Sequence, residues 1–203
     1  MKQHASRLKV IGGRLKGTPL ASPKGLTVRP TSAKVREAVA NILQNELTDA
    51  VVLDLFAGTG ALGIEALSRG AAYAVFIDNH PAALTTVRQN IHACDLAGMS
   101  HAIRHDPSRD LKCLAGMDLK FDVVFMDPPY AKDVIPATLT NIHTIMGLNS
   151  GAILVVEQSA KEATISDERS GIGTNKTQWT SHYRLTSTRQ YGKTLVSFLE
   201  YMI

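Results

Sequence analysis

A short apolar segment that runs into a glycine-rich turn and then a helix constrains this chain more than any other feature. Residues 51–56, VVLDLF, predict a strand, and residues 60–70, GALGIEALSRG, predict a helix that ends at Gly70. A strand that is apolar on both faces is typical of a parallel sheet covered by helices on both sides. The sequence therefore predicts an α/β fold.

The strand–helix unit recurs along the chain. Further strands are predicted at 73–78, 101–106, 121–126 and 151–157, and further helices at 80–95 and within 133–147. Right-handed crossovers in a doubly wound sheet give the strand order 3-2-1-4-5. The last two apolar segments are separated by a Tyr-Gly-Lys turn and no helix, which predicts a C-terminal antiparallel hairpin. The polar stretch 160–180 is interpreted as a loop.

The segment after Ser32 has the spacing of an amphipathic helix. Its apolar residues are Val35, Ala38, Val39, Ile42 and Leu43, the i, i+3, i+4, i+7, i+8 stripe of a helix with one buried face. Thr31 or Ser32 is placed to cap its start.

The net charge of +4 is unevenly distributed. Residues 1–36 hold nine of the 22 Lys and Arg residues and none of the 18 Asp and Glu residues, so residues 37–203 carry a net charge of −5. Apolar residues and paired glycines interrupt the basic ones, which predicts a small β-hairpin and not a disordered charged tail. We therefore divide the chain into a basic arm, 1–29, that contacts nucleic acid, and a body, 30–203.

Other compositional features exclude several classes. No apolar run reaches membrane-spanning length and the N-terminus lacks the apolar core of a signal peptide, so we expect a cytoplasmic protein. The two cysteines lack a partner motif and the seven histidines form no ligand-spaced cluster, so we expect neither a disulfide nor a metal site.

The glycine spacing predicts a ligand that contains adenosine. Gly58, Gly60 and Gly63 form G-x-G-x-x-G after a strand, and Asp78 follows 20 residues after Gly58. Asp54 disfavours a pyrophosphate, because two negative groups would repel each other in a partly desolvated cleft. S-adenosylmethionine carries a sulfonium and an ammonium instead, and carboxylates suit those cations.

Each residue of this candidate cofactor site has an expected role. Asp54 would lie near the methionine ammonium through the amides of the loop, and Asp78 would accept the ribose hydroxyls. Asp106 would meet the adenine amino group, although a helix cap or a loop acid is nearly as well supported. The remaining candidates are Phe56, Ala57, Gly58, Gly60 and Asn79.

The segment FMDPPY places Asp127, Pro128, Pro129 and Tyr130 at the end of a strand next to the glycine loop. A simple strand end is one interpretation, since Pro-Pro ends a sheet ladder. The alternative is catalytic. An exocyclic amine is a weak nucleophile, and hydrogen bonds to the Asp127 carboxylate and the Pro128 carbonyl would aim its lone pair at a methyl group. Tyr130 would stack on the flipped base.

Four segments in this order carry a resemblance to a known family: VIGGRLKG, RPTSAKVREAVANIL, LDLFAGTGALGIEALSRGA and FDVVFMDPPY. From about residue 8 to 158 the chain resembles the RsmD family of bacterial 16S ribosomal RNA guanine-N2 methyltransferases. The resemblance implies a class I S-adenosylmethionine-dependent methyltransferase fold with a seven-stranded sheet, and a target guanine in 16S rRNA, free or in a partly assembled small subunit. It also implies that Arg14, Lys16, Arg29, Thr31 and Arg36 help hold RNA, and Arg7 of the basic arm is expected to join them.

Three positions differ from the residues that are usual in this family. Ala33 stands where an acid is common, Ala40 where an aromatic is common, and Asp78 where Glu is more frequent. Alternative activities are methylation of DNA adenine-N6 or of protein glutamine-N5. A nicotinamide-dependent oxidoreductase and an RNA-binding protein without catalysis also stay open, and we expect a monomer.

Overall fold

The computed structural model describes residues 8–22, 32–129, 133–161, 163, 165 and 181–203. The strands in these ranges are β1 (Val51–Leu55), β2 (Tyr73–Asp78), β3 (Ser100–Arg104), β4 (Phe121–Met126), β5 (Leu148–Ser159), β6 (Tyr183–Tyr191) and β7 (Thr194–Tyr201). The helices are α1 (Ala33–Ile42), α2 (Ala61–Ser68), α3 (Pro81–Ala93) and α4 (Val134–Thr144).

The seven strands form one sheet in the order β3-β2-β1-β4-β5-β7-β6. β1 lies between β2 and β4 and pairs with both in parallel, which confirms the predicted order 3-2-1-4-5. β7 pairs antiparallel with β5 and with β6, which confirms the C-terminal hairpin. Gly192 has φ 62° in the two-residue turn of that hairpin, where glycine adopts a positive φ without strain.

Two buried clusters cover the two faces of the sheet. On one face Val52 of β1 packs with Ile64 of α2 and Val87 of α3. On the other, Leu55 of β1 packs in the same cluster as Leu139 of α4. Successive residues of a strand point to opposite faces. A strand covered on both sides therefore needs apolar residues at consecutive positions, as the sequence of β1 indicates.

The N-terminal arm is a hairpin docked on the body. Lys9 and Pro19 form an antiparallel bridge, and the Val10 amide donates to the Thr18 carbonyl at 3.0 Å. Val10 and Leu20 are 1 % and 7 % exposed and belong to the same buried cluster as α1, α2 and α3. The described part of the arm, residues 8–22, thus shares the core of the body.

The buried face of α1 differs from the predicted stripe. It consists of Val35, Arg36, Val39 and Ala40. Ile42, which belongs to the predicted apolar stripe, is 46 % exposed. Arg36 takes a place on the buried face because its Nη2 donates to the carbonyl of Lys9 in the arm at 3.0 Å.

Some boundaries also differ. β3 ends at Arg104, so Asp106 lies in the following loop and not in the strand. β5 begins at Leu148 and includes three residues before the predicted start. Most of the 160–180 segment lies outside the described residues.

No helix in the described ranges is both long and apolar enough to cross a bilayer. Cys94 and Cys113 are free thiols. The described residues include no group of three or more His, Cys, Asp or Glu side chains that could hold a metal ion.

Candidate active site

The carboxyl ends of β1, β2 and β4 meet at one edge of the sheet. Leu55 is in register with Ile77 on one side and with Met126 on the other. The glycine loop after β1, Asp78 at the end of β2 and Asp127 after β4 therefore lie side by side. In a parallel sheet this edge is where ligands bind.

The glycine loop turns sharply between β1 and α2. Phe56 has φ 57°, a conformation that is unusual for a bulky residue, and Gly58 has φ 56°. The Gly60 amide donates to the Ala57 carbonyl at 2.7 Å, which closes the turn. A Cβ at Gly58 would meet only the Phe56 carbonyl, at 3.8 Å, so a ligand can approach the backbone there.

Gly63 is required for a different reason. A Cβ at this position would lie 2.4 Å from the ring of Phe76 and 3.1 Å from the Asp54 carboxylate. The ring of Phe76 is fully buried. The absence of a side chain at Gly63 therefore lets the first turn of α2 lie directly against β1 and β2.

Asp78 holds the loop in this conformation. Its Oδ2 accepts a hydrogen bond from the Gly58 amide at 2.9 Å, and its Oδ1 accepts one from the His80 amide at 2.8 Å. The residue is 8 % exposed. Each carboxylate oxygen keeps a second lone pair, so Asp78 can accept ligand hydroxyls as well. The next residue, Asn79, is exposed.

Asp54 lies beneath the loop and is 3 % exposed. Its Oδ2 accepts a hydrogen bond from the Gly63 amide at 2.9 Å. Burial raises the pKa of Asp54 to about 8; the Gly63 hydrogen bond opposes this rise, and the charges of Asp127 and Asp78 add to it. Asp54 is therefore protonated at neutral pH, and a cation between Asp54, Asp78 and Asp127 would favour its ionised form.

The DPPY segment begins at this cluster. Asp127 is partly exposed, Pro128 is buried and Pro129 is exposed. Asp127 follows Met126, which is in register with Leu55 of β1, and the charge of Asp127 adds to the rise in the pKa of Asp54. Tyr130, the predicted stacking residue, lies outside the described residues.

Asp106 occupies the loop after β3 and caps its own turn. Its Oδ1 accepts hydrogen bonds from the Ser108 amide at 3.0 Å and from the Ser108 hydroxyl at 2.6 Å. Asp106 is therefore a loop acid, one of the alternatives that the sequence left open. The loop itself lies next to Asp78, because the His105 amide donates to the Asp78 carbonyl at 3.1 Å.

Two polar residues of α2, which the sequence analysis missed, hold the arm against the body. The Glu65 carboxylate accepts hydrogen bonds from the Ile11 amide at 2.8 Å and the Gly12 amide at 2.7 Å. The Ser68 hydroxyl accepts from the Leu15 amide at 2.9 Å and donates to the Gly12 carbonyl at 2.6 Å. Both residues are buried, and a buried acid in an apolar helix was the available signal.

The cations that the sequence assigned to RNA binding are in two environments. Arg14 and Lys16 are exposed and can reach a phosphate. Arg36, in contrast, is 2 % exposed and donates to the Lys9 carbonyl. This burial corrects the expectation that Arg36 contacts RNA directly, because its guanidinium hydrogen-bonds to the backbone of the arm instead. Arg7, Arg29 and Thr31 lie outside the described residues.

The comparisons with known proteins agree with this geometry. The family model described as "Conserved hypothetical protein 95" matches residues 8–200. Ribosomal RNA small subunit methyltransferase D of Escherichia coli is 32 % identical over 178 residues, which are 88 % of this chain and 84 % of the relative. This chain belongs to that family, the RsmD family.

A second relative and a solved structure support the assignment. The Bacillus subtilis protein YlbH is 37 % identical over 150 residues, which are 74 % of this chain and 82 % of that protein. The solved structure of yhhF from Escherichia coli has a TM-score of 0.77 and 28 % identity, and the match covers 97 % of this chain and 98 % of that one. This RsmD-family protein is a methyltransferase, and it has the Rossmann-like fold of S-adenosylmethionine-dependent enzymes.

Proposed function

We propose that this protein transfers the methyl group of S-adenosylmethionine to the exocyclic N2 amine of one guanine in 16S ribosomal RNA. The single observation that carries the proposal is the register of Leu55 with both Ile77 and Met126. That register puts the glycine loop after β1 and Asp127 after β4 at one edge of the sheet. Family membership supplies the class of substrate.

The carboxylates favour a cationic cofactor over a dinucleotide. Asp54, Asp78 and Asp127 lie close enough for the last two to raise the pKa of the first. A pyrophosphate would add negative charge to this cluster, whereas a sulfonium and an ammonium would reduce its repulsion. The proposed contacts are Asp78 to the ribose hydroxyls and the open backbone of Gly58 to the methionine portion.

Asp127 and Pro128 would position the amine. The two hydrogens of guanine N2 donate to the Asp127 carboxylate and to the Pro128 carbonyl, which aims the nitrogen lone pair at the methyl group. The nitrogen–carbon bond forms as the sulfur–carbon bond breaks, so the sulfonium becomes a neutral thioether. The amine then releases one proton to Asp127 or to water. Pro128 is buried, and proline has few backbone conformations, so its carbonyl is held in place.

The arm would hold the RNA backbone. Arg14 and Lys16 are exposed on a hairpin whose own backbone is fixed to α2. Cations on a rigid support bind phosphates without losing much conformational freedom. The proposed partner is 16S rRNA, either free or in a partly assembled small subunit, and the protein would act in the cytoplasm as a monomer.

The test is methylation with S-adenosylmethionine that carries a labelled methyl group. Free 16S rRNA and small-subunit particles from cells that lack this protein serve as substrates, and mass spectrometry identifies the modified nucleoside. The proposal expects N2-methylguanosine at one position. It also expects that Asp127→Ala lowers kcat by about 10²- to 10⁴-fold, while the affinity for S-adenosylhomocysteine changes by a few-fold at most.

Other products would identify the alternative activities. N6-methyladenosine in DNA, or methylated glutamine in a protein, would replace the guanine assignment while leaving the amino-methyltransferase chemistry intact. Binding of NAD in preference to S-adenosylhomocysteine would overturn the cofactor assignment. Unchanged transfer by Asp127→Ala would overturn the catalytic role of the DPPY segment.

A further inference from the structure

Asn90 is a buried polar residue on the face of α3 that packs against the sheet. It is 1 % exposed and precedes Ile91, which belongs to the buried cluster. Its side-chain Oδ1 accepts a hydrogen bond from the Ala21 amide at 2.7 Å. Its Nδ2 donates to the Ala21 carbonyl at 3.1 Å and to the Thr59 carbonyl at 2.8 Å. Both amide hydrogens and one oxygen lone pair are therefore used.

The two partners of Asn90 belong to different functional parts. Ala21 is in the basic arm, and Thr59 lies in the glycine loop between Gly58 and Gly60. Thr59 is 7 % exposed, so its carbonyl has little access to water as a substitute partner. One side chain thus joins the backbone of the arm to the backbone of the cofactor loop.

The other contacts of the arm do not reach the loop. Glu65 and Ser68 bind the arm at the second half of α2, beyond the first turn that follows the loop. Asp78 accepts a hydrogen bond from Gly58 of the loop, and Asp54 accepts one from Gly63 just after it. Neither of these two hydrogen bonds involves the arm. Among the hydrogen bonds of the described residues, those of the Asn90 side chain therefore connect the arm to the glycine loop.

We propose that Asn90 is a positioning residue that couples RNA binding by the arm to cofactor binding by the glycine loop. This inference rests on the proposed function. An RNA that contacts the arm and also delivers a base to Asp127 binds the arm in the docked position that the structure shows. Bound RNA holds Ala21 in that position, which keeps the Asn90 amide oriented toward the Thr59 carbonyl and the loop in its ligand-binding conformation. Coupling between two binding sites is reciprocal, so each ligand strengthens the binding of the other.

The test uses isothermal titration of the full chain with S-adenosylhomocysteine, with and without saturating 16S rRNA transcript. For the unmodified protein we expect tighter cofactor binding with RNA present, by about 5- to 100-fold. In Asn90→Ala the ratio of the two dissociation constants falls to within about twofold of unity. Ala21→Pro removes the donor amide from the arm side, at an exposed residue, and should reduce the ratio in the same direction.

Thr86→Val is the matched control. Thr86 is also buried in α3, and its hydroxyl donates to the Ala82 carbonyl of the same helix at 2.9 Å. The Thr86→Val variant should keep the same ratio of dissociation constants as the unmodified protein, even if its melting temperature is lower. This control therefore separates a general loss of stability from a loss of coupling. At saturating cofactor and RNA, Asn90→Ala should recover most of kcat while its KM values stay raised.

Two results would overturn the inference while leaving the proposed function in place. One is a ratio of unity in the unmodified protein when both ligands bind. The other is an unchanged ratio in both Asn90→Ala and Ala21→Pro. Failure of the unmodified protein to bind S-adenosylhomocysteine, or to methylate any RNA, would instead refute the proposed function and the inference with it.

Discussion

The carboxylate of Asp78 accepts a hydrogen bond from the amide of Gly58 at 2.9 Å, across 20 residues of sequence. The acid at the end of β2 therefore fixes the conformation of the loop at the end of β1. The sequence assigns Asp78 to a ligand hydroxyl. The structure adds that the same side chain shapes the loop, so its loss would affect cofactor binding in two ways.

Replacing Asp78 with Asn should weaken the binding of S-adenosylhomocysteine by about 10- to 100-fold, because an amide cannot accept at both positions that the two backbone amides now use. Isothermal titration measures this change. Asp118→Asn is the control, since Asp118 is exposed and its φ of 50° is one that Asn tolerates. If Asp78→Asn binds as tightly as the control, the loop does not depend on this carboxylate.

The sheet and its edge could be predicted because their signals are local. β1 and β4 are apolar at every position but one, an Asp in each. The carboxyl ends of parallel strands must lie at the same edge of the sheet. The spacing of Gly58 and Asp78 then brings the loop and the acid together. These relations need only strand positions and the handedness of crossovers, and both follow from short segments.

The attachment of the arm could not be predicted, because its partners are distant in sequence. Arg36 is a cation in a basic region, and only its contact with Lys9, 27 residues away, shows that it is buried. Glu65 and Asn90 accept hydrogen bonds from arm residues that are 54 and 69 positions away in the sequence. The periodicity of a helix shows which face is buried, but it does not identify which polar residue on that face has a partner.

Replacing Gly63 with Ala should destabilise the protein by about 1 to 3 kcal/mol, because the new Cβ would overlap a buried ring. The nearest atom of Phe76 lies 2.4 Å from the ideal Cβ position. Urea denaturation gives the free energy of unfolding. Gly98→Ala is the matched control, since nothing lies within 4 Å of its Cβ position.

A second variant tests the cause of that loss. On a background of Phe76→Leu, which removes the ring, Gly63→Ala should cost clearly less than it does with Phe76 present. A double-mutant cycle measures the difference. Equal costs on the two backgrounds would show that the contact with Phe76 is not the reason for the glycine.

The exposed cations of the arm should account for part of the salt dependence of RNA binding. The slope of log K against log salt is negative, and its magnitude falls by about 0.7 to 0.9 for each phosphate contact that is lost. The double variant Arg14→Ala, Lys16→Ala should therefore flatten the slope by about 1.4 to 1.8. Filter binding to 16S rRNA at several salt concentrations measures it.

Lys120→Ala is the control for the arm. Lys120 is exposed and precedes β4, so it lies at the edge of the sheet opposite to the DPPY segment. Its replacement should leave the slope unchanged. A double arm variant that keeps the slope of the unmodified protein would show that Arg14 and Lys16 do not contact phosphates.

The buried carboxyl of Asp54 should make stability depend on pH. Its pKa is raised to about 8 in the folded protein, from an ordinary value of 3.8, chiefly by burial. Between these values the folded protein holds a proton that the unfolded chain has released. Stability from this group is therefore present below about pH 4, is lost as the pH rises to about 8, and is constant above that.

Asp54→Asn should remove this contribution. Urea denaturation between pH 5 and pH 9, without cofactor, should show a smaller decrease of the unfolding free energy with pH in the variant than in the unmodified protein. The difference in slope is at most about 1.4 kcal/mol per pH unit, since one proton is involved. Equal slopes in the two proteins would mean that Asp54 is ionised at neutral pH in the folded state. The three carboxylates would then need a bound cation or stronger hydrogen bonding to coexist at this edge of the sheet.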